Sequence, residues 1–471
     1  MTGNLFYFFD MILKGFTSRN PLYFKLLAIV FMWLTSCTSG DSQTNNPDVK
    51  IKKGLTDDQL LDLVQKQTYK YFYEGAEPIS GLSRERYHSD NIYPQNDKNI
   101  IATGASGFGI MGTIVAIERK FITREEGFKH LKKGLGFLSK ADRFHGVWPH
   151  WMLPSGKAKA FGENDDAGDL VETSFLAQAL ICVRQYYAKG NTQEKELAAR
   201  ADELWRGIDW NFYRKDNENV LYWHWSPNSG WKMNFAITGY NECLITYVLA
   251  ACSPTHGVPA AVYHEGWAKN GKINTNLSLY GHPVKLKHNV VGENVGPLFW
   301  AHYSYLGLNP TGLKDRYANY WEENKSHTLI NYDYAIQNPK GFKGYGKNSW
   351  GLTASYSVKG YAAHNPQEDL GVIAPTAALS SYPYAKKESM QVIRNLYETL
   401  NDKVWGEFGF YDAYSETENW FPKRYIGIDQ GPIVVMIENG RTGLLWNLFM
   451  SAPEIKSGLT KLGFESPEIK Q

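Results

Sequence analysis

Three short stretches of the 471-residue chain hold carboxylates in settings suited to acid–base chemistry. The first, Glu163-Asn164-Asp165-Asp166-Ala167-Gly168-Asp169-Leu170-Val171-Glu172, leads from a loop into an apolar run. Asp165, Asp169 and Glu172 are spaced i, i+4, i+7, so a helix including them sets all three on one face. Capping a helix N-terminus needs only one such residue. Carboxylates this crowded repel one another unless a proton, a cation or a hydroxyl-rich ligand lies between them. The second stretch is Tyr240-Asn241-Glu242, opening the apolar run Cys243-Leu244-Ile245. A carboxyl walled by apolar groups has its charged form disfavoured, which suits a general acid. The third is Tyr425-Ile426-Gly427-Ile428-Asp429-Gln430-Gly431-Pro432. Pro432 fits the first position of a helix. Asp429 then lies just ahead of the helix N-terminus, where the dipole favours an anion and a base stays ionised. Paired carboxyls are what glycoside hydrolysis requires, one to protonate the leaving oxygen and one to activate water or attack carbon.

A ring-rich loop precedes each acidic stretch. Val147-Trp148-Pro149-His150-Trp151 precedes the first, Tyr222-Trp223-His224-Trp225 and Trp231 the second, and Phe408-Gly409-Phe410-Tyr411-Asp412-Ala413-Tyr414 with Trp420 the third. The chain has 15 Trp, 30 Tyr and 23 Phe, more large rings than a core alone needs. Trp and Tyr combine an apolar face with a polar edge, which matches a sugar ring.

The elements that must position these groups are helical. Thr56-Asp57-Asp58-Gln59 reads as a capping box opening a helix through about residue 73, with Leu60, Leu63, Val64 and Tyr71 on one face. Further helices are expected near 104–120, 123–142, 168–189, 193–212, 239–252, 257–268, 293–305, 314–334, 370–382, 386–401 and 431–450. Strand patterns are short and read as small β-hairpins in loops. Twelve helices in an uninterrupted block, 55–466, predict an all-α (α/α)6 barrel, a toroid of six helix hairpins. Its inner helices run the same way, so three acidic N-termini would gather at one funnel.

The N-terminus reads as an address. Lys25 precedes nine apolar residues, Leu26 to Leu34, and then Thr35, Ser36 and Cys37. This pattern resembles a bacterial lipoprotein signal over 1–36, with Cys37 the lipidated residue and 37–54 a polar tether. A membrane-anchored lipoprotein facing the periplasm or the cell surface is expected. The first 36 residues hold three cations against one anion, so the chain's net +2 leaves a neutral body. A neutral body gives no counterion-release term, which excludes a nucleic-acid partner. Cys182, Cys243 and Cys252 read as small buried hydrophobes, and no CxxC, HExxH or P-loop spacing occurs. No metal and no cofactor are expected, and the protein reads as a monomer.

The run around Asp165–Glu172, the Tyr240-Asn241-Glu242 segment and the Gly427–Pro432 segment resemble the bacterial glucoamylase-like family. That family overlaps family 144 of the glycoside hydrolases, which cleave β-1,2-glucan. The resemblance implies an (α/α)6 barrel that acts with inversion, with active-site acids at Asp165, Asp169, Glu172, Glu242 and Asp429. It makes Glu242 the general acid. Asp429 leads for water activation on the dipole argument, with Asp169 and Glu172 as alternatives. Arg86, in Ser83-Arg84-Glu85-Arg86, departs from the family's Asp-Arg pair. Substrate contacts are expected from Arg86, His150, Trp151, Trp231, Tyr240 and Tyr411. The resulting reading is an inverting hydrolase of a β-glucan, above all β-1,2-glucan. The alternatives are a glucoamylase-type exo-α-glucosidase and a non-catalytic glycan-binding surface lipoprotein.

Overall fold

A computed structural model of the chain describes residues 51–469. The signal segment, Cys37 and all but the last four residues of the tether lie outside the described residues. No helix among those described is long and apolar enough to cross a membrane.

Helices alternate between an outer and an inner ring. Outer α1 (Asp57–Tyr73) pairs with inner α2 (Thr103–Glu118), and outer α3 (Arg124–Leu138), packed on α2, precedes inner α4 (Leu170–Tyr187). Outer α5 (Thr192–Arg206) precedes inner α6 (Leu244–Cys252). A π-helical turn, Val262–Trp267, and two 3-10 turns, Leu298–Ala301 and Tyr303–Tyr305, form the fourth pair. Outer α7 (Tyr320–Gln337) precedes inner α8 (Pro375–Ser380), and outer α9 (Lys386–Arg394) precedes inner α10 (Gly427–Thr442). Two short helices, α11 (Leu444–Met450) and α12 (Pro453–Lys461), end the chain. This is the expected (α/α)6 arrangement.

Burial separates the two rings. Every residue of α6 and α8, and all of α2 but its last, is buried, whereas α3 and α5 bury one face. Inner helices touch on both sides and so lose any polar face. The ring runs α10, α2, α4, α6 and the 3-10 turns. His302 Nε2 lies 2.9 Å from Ser381 Oγ, and the Tyr384 hydroxyl donates to the Ala301 carbonyl at 3.0 Å, which carries the ring on to the α8 end. Gly107 lets α2 approach α4: a Cβ there would sit 2.6 Å from Leu176 Cα. The small strand pairs lie in loops as expected, and all pairs are antiparallel.

Several expected boundaries move. The helix expected over 239–252 starts only at Leu244, so Glu242 stands in the turn before it. The one expected over 193–212 ends at Arg206, with Gly207 as C-cap. The single helix expected over 431–450 is two. α10 starts at Gly427, and Gly443, with φ 73°, breaks it from α11. Pro432 therefore lies inside α10, and Asp429 lies in its first turn rather than ahead of it. Strand Arg424–Ile426 pairs with Arg86–His88, and the helix begins where that pairing stops. Cys182, Cys243 and Cys252 are buried free thiols.

Candidate active site

The outer helices α1, α3, α5 and α7 are capped by side chains, from Thr56, Thr123, Asn191 and Asn319. The inner helices α2, α6, α8 and α10 follow Ala102, Cys243, Ala374 and Ile426, which supply no side-chain cap. Their leading amides stay free for other acceptors. The Gly104 N–H donates to Glu172 Oε2 at 2.7 Å. Inner α4 differs: Asp169 caps it, accepting from the Val171 and Glu172 amides at 3.0 and 2.9 Å.

Asp165, Asp169 and Glu172 do not share a helical face, because α4 begins at Leu170. Asp165 lies in a loop and Asp169 in strand Gly168–Asp169, which pairs with His224–Trp225 and sets His224 opposite Asp169. His150 Nδ1 is 2.8 Å from Asp169 Oδ2, and His224 Nε2 is 3.0 Å from Asp165 Oδ2 and 3.4 Å from Asp169 Oδ2. Asp166 turns away, accepting from Asn228 at 2.7 Å. Burial opposes charge on both imidazoles, yet the carboxylates prevail. Glu172 and Asp169 push His150 up to about 10. Asp165 and Asp169 push His224 up to about 9. Against its own burial, Asp169 is held well below the usual carboxylate range by hydrogen bonds from both imidazoles. Two imidazoles thus face two carboxyls. The His150, Asp165 and Asp169 ligand atoms lie within 4.8 Å of one another and could hold a divalent cation were the imidazoles neutral.

Glu172 and Glu242 behave differently. Burial, with the charge of Asp169, pushes Glu172 up to about 7 despite the Gly104 hydrogen bond. Burial, with the charges of Glu172 and Asp169, pushes Glu242 up to about 7. Glu242 is still partly exposed. Its turn is fixed by Asn241 Oδ1, which accepts from the Cys243 amide at 2.9 Å, and by the Ser304 hydroxyl, which donates to the Glu242 carbonyl.

Asp429 is not the ionised residue that the dipole argument predicts. It is buried against Asp412, and burial plus that neighbouring charge raise it well above the carboxylate range. The Tyr303 hydroxyl donates to Asp429 Oδ1 at 3.3 Å. Asp412 Oδ2 accepts the Tyr356 amide at 2.7 Å. Tyr303, bonded to Asp429, also feels the charge of Glu172. Tyr361, on hairpin strand Gly360–Ala363, feels Asp429, Asp412, Glu85 and Glu172 and is still half exposed.

Three of the six expected substrate contacts are partly exposed and lie beside the acids or their neighbours. Arg86 is partly exposed, paired with Glu85 and, at 3.1 Å, with Asp97. His150 stacks on exposed Phe161 with centroids 4.0 Å apart, and Trp151 meets the same ring edge-on at 4.8 Å. The other three are packing. Tyr240 is fully buried, its hydroxyl donating to Asn324 at 2.6 Å. Tyr411 is buried against Tyr425. Trp231 stacks on Phe212 at 5.5 Å and meets Tyr222 edge-on. The sequence reading missed Asp412, His224, Glu85, Phe161, Tyr303 and Tyr361. Asp412 and His224 lie inside stretches read for their rings, and Glu85 adjoins Arg86. Tyr303 and Tyr361 carry no signal in their own windows.

Residues 234–453 match the family described as "Putative glucoamylase". The chain is 44% identical to the exo β-1,2-glucooligosaccharide sophorohydrolase (non-reducing end) of Parabacteroides distasonis, over 93% of this chain. It spans only 62% of that relative's length. It resembles the endo-β-1,2-glucanase of Chitinophaga pinensis, solved with sophorotriose and glucose, with TM-score 0.87 and 61% identity. That match covers 88% of this chain and all of the other. An endo-β-1,2-glucanase of Talaromyces funiculosus, covered over 92% of its length by 87% of this chain, shares only the fold, with TM-score 0.61 and 12% identity.

Proposed function

Because the chain belongs to the glucoamylase-like family, whose relatives include β-1,2-glucan-cleaving enzymes, we propose that it is a glycoside hydrolase acting on β-1,2-glucan. The observation that carries the mechanism is that the acids fall into two groups, Glu172 and Asp169 acting on Glu242, and Asp412 and Glu85 on Asp429. Glu242, pushed up to about 7 by burial, keeps a share of its proton at neutral pH and is partly exposed. It is the general acid and protonates the leaving oxygen. In the other group, Asp429 faces the water that attacks the anomeric carbon. The charges that perturb Glu242 are Glu172 and Asp169, while Asp412 and Glu85 perturb Asp429. That separation suits an inverting reaction, which needs room for a water between acid and base. Asp165 and Asp169, balanced by His150 and His224, hold the Glu172–Glu242 side in place. Arg86 and the His150–Phe161–Trp151 group face the sugar chain.

Incubation with linear β-1,2-glucan and with starch, followed by chromatography, tests the reading. β-1,2-linked oligosaccharides from the first and none from the second are expected. Release of glucose from starch alone would replace the reading with an exo-α-glucosidase. Binding of β-1,2-glucan without new reducing ends would make the protein a glycan-binding one. Proton NMR early in the reaction should show the α-anomer.

We also propose a lipid at Cys37, on the order of Lys25, the apolar run Leu26–Leu34 and the small residues before the cysteine. Labelling of the full chain with an alkynyl fatty acid should be lost in C37S. Equal labelling of both would exclude the anchor.

A further inference from the structure

Among the described residues, Asp412 Oδ1 and Asp429 Oδ2 are buried and have no hydrogen-bond donor. The other oxygen of each is engaged, by the Tyr356 amide and by the Tyr303 hydroxyl. The two carboxyls nonetheless lie within hydrogen-bonding reach of each other. Ionised carboxylates only accept, so a bond between them requires a proton on one. The two orphan oxygens are therefore partners across one proton, and the pair carries a single negative charge. Asp412 and Asp429 are both almost fully buried, 2% and 1% exposed, and of the two it is Asp429 that the Tyr303 hydroxyl meets.

We infer that Asp412 is the positioning residue for water activation, receiving through Asp429 the proton that the attacking water gives up. This rests on the reading of the site as a β-1,2-glucan hydrolase. Water breaks one O–H bond and gives that proton to Asp429 Oδ1, the oxygen beside Tyr303. Asp429 passes its own proton from Oδ2 to Asp412 Oδ1. The water's electron pair forms the bond to the anomeric carbon as the glycosidic C–O bond breaks. The leaving oxygen takes the Glu242 proton. Asp429 is neutral before and after, Asp412 becomes neutral, Glu242 becomes charged, and the total charge is unchanged.

The surroundings fit a proton receiver. Glu85 and Arg86 face the pair from the strand Arg86–His88 and its lead-in. Tyr303 faces it from the inner 3-10 turn, and Tyr356 and Tyr361 from their hairpin. Arg424 lies over the Tyr356 ring at 5.6 Å. The Asp412 amide, donating to the Arg424 carbonyl at 2.9 Å, fixes the backbone.

The test is D412N in the full chain, assayed on linear β-1,2-glucan across pH. The amide keeps an acceptor for the Tyr356 N–H and turns a donor toward Asp429, which leaves Asp429 ionised. The transfer through Asp429 predicts kcat down by about a hundredfold or more, KM nearly unchanged, and loss of the wild-type acid limb, with partial rescue by D412E. Were Asp429 to act alone, D412N would keep or raise kcat, and that result overturns the inference. Infrared spectra of the wild type need no variant. A neutral carboxyl band that moves on 13C labelling of aspartate must persist at pH 7, and its absence overturns the shared proton. Wild type that leaves the glucan intact would instead remove the hydrolase reading, with the infrared band still reporting on the pair.

Discussion

The Gly104 amide donates to Glu172 at 2.7 Å, and a methyl group at Gly104 would lie 2.6 Å from that same carboxylate oxygen. The closeness is between a backbone atom of α2 and a site acid, so only glycine leaves the acid in place. G104A should cost about tenfold to a hundredfold in kcat/KM, the worth of one hydrogen bond to a charged group. Alanine is a better helix former by about 1 kcal/mol, so the melting temperature should move little. Equal kcat/KM in G104A and wild type would show that Glu172 need not stand there.

E242Q removes the proton that the leaving oxygen needs and keeps the shape of the side chain. We expect kcat to fall by about a hundredfold to ten-thousandfold on β-1,2-glucan, with KM within a fewfold. Aryl β-sophorosides, whose leaving groups need little protonation, should recover much of the loss. A variant with wild-type turnover would take Glu242 out of the acid role.

The pH profile follows from signs. Glu242 acts while protonated, so activity should fall as pH rises through about 7. Asp412 acts while ionised, so activity should fall as pH drops through about 6. A narrow bell between those values is expected, and a plateau from pH 5 to 9 would contradict both assignments.

Stability has its own sign. His150 and His224, raised to about 10 and about 9, stabilise the folded chain fully below their ordinary value near 6.5, and that stabilisation fades as pH rises through the raised values. Glu172 and Glu242, raised to about 7, lose their contribution earlier, between the ordinary carboxyl value and about pH 7, and add little slope above that. Melting temperature should therefore decline from pH 7 to pH 10. H224N should flatten that decline, and an unaltered slope would mean that His224 is uncharged in the native chain.

Tyr361 is half exposed on its hairpin and makes no hydrogen bond or ring contact. Its place over the acids suits a ring that stacks on the bound chain. Y361A should raise KM about threefold to tenfold and Y361F should leave it near wild type. Identical kinetics for Y361A and wild type would free the hairpin from that task.

Much of this architecture can be read from the chain. The caps at Thr56 and Thr123 and the unbroken apolar runs give outer and inner helices in order. Glu242 stands out because its apolar neighbours are adjacent in sequence. The misreadings share a cause: they depend on partners far along the chain. Pro432 fits a helix start locally, but pairing of Arg424–Ile426 with Arg86–His88 starts the helix earlier. The dipole argument for Asp429 holds in isolation and fails once Asp412 is placed against it. Tyr240, Tyr411 and Trp231 look like sugar platforms in their windows. They are held by Asn324, Tyr425 and Phe212, which no window contains.

The bare starts of α2, α6, α8 and α10 set a limit on this molecule's durability. A serine or aspartate in place of Ala102, Ala374 or Ile426 would tie up those amides and add about 1 kcal/mol of resistance to heat at each end. At Ala102 it would also compete with Glu172 for the Gly104 amide. Selection for ruggedness and selection for turnover should therefore pull against each other at Ala102, and leave α1, α3, α5 and α7, already capped, indifferent to both.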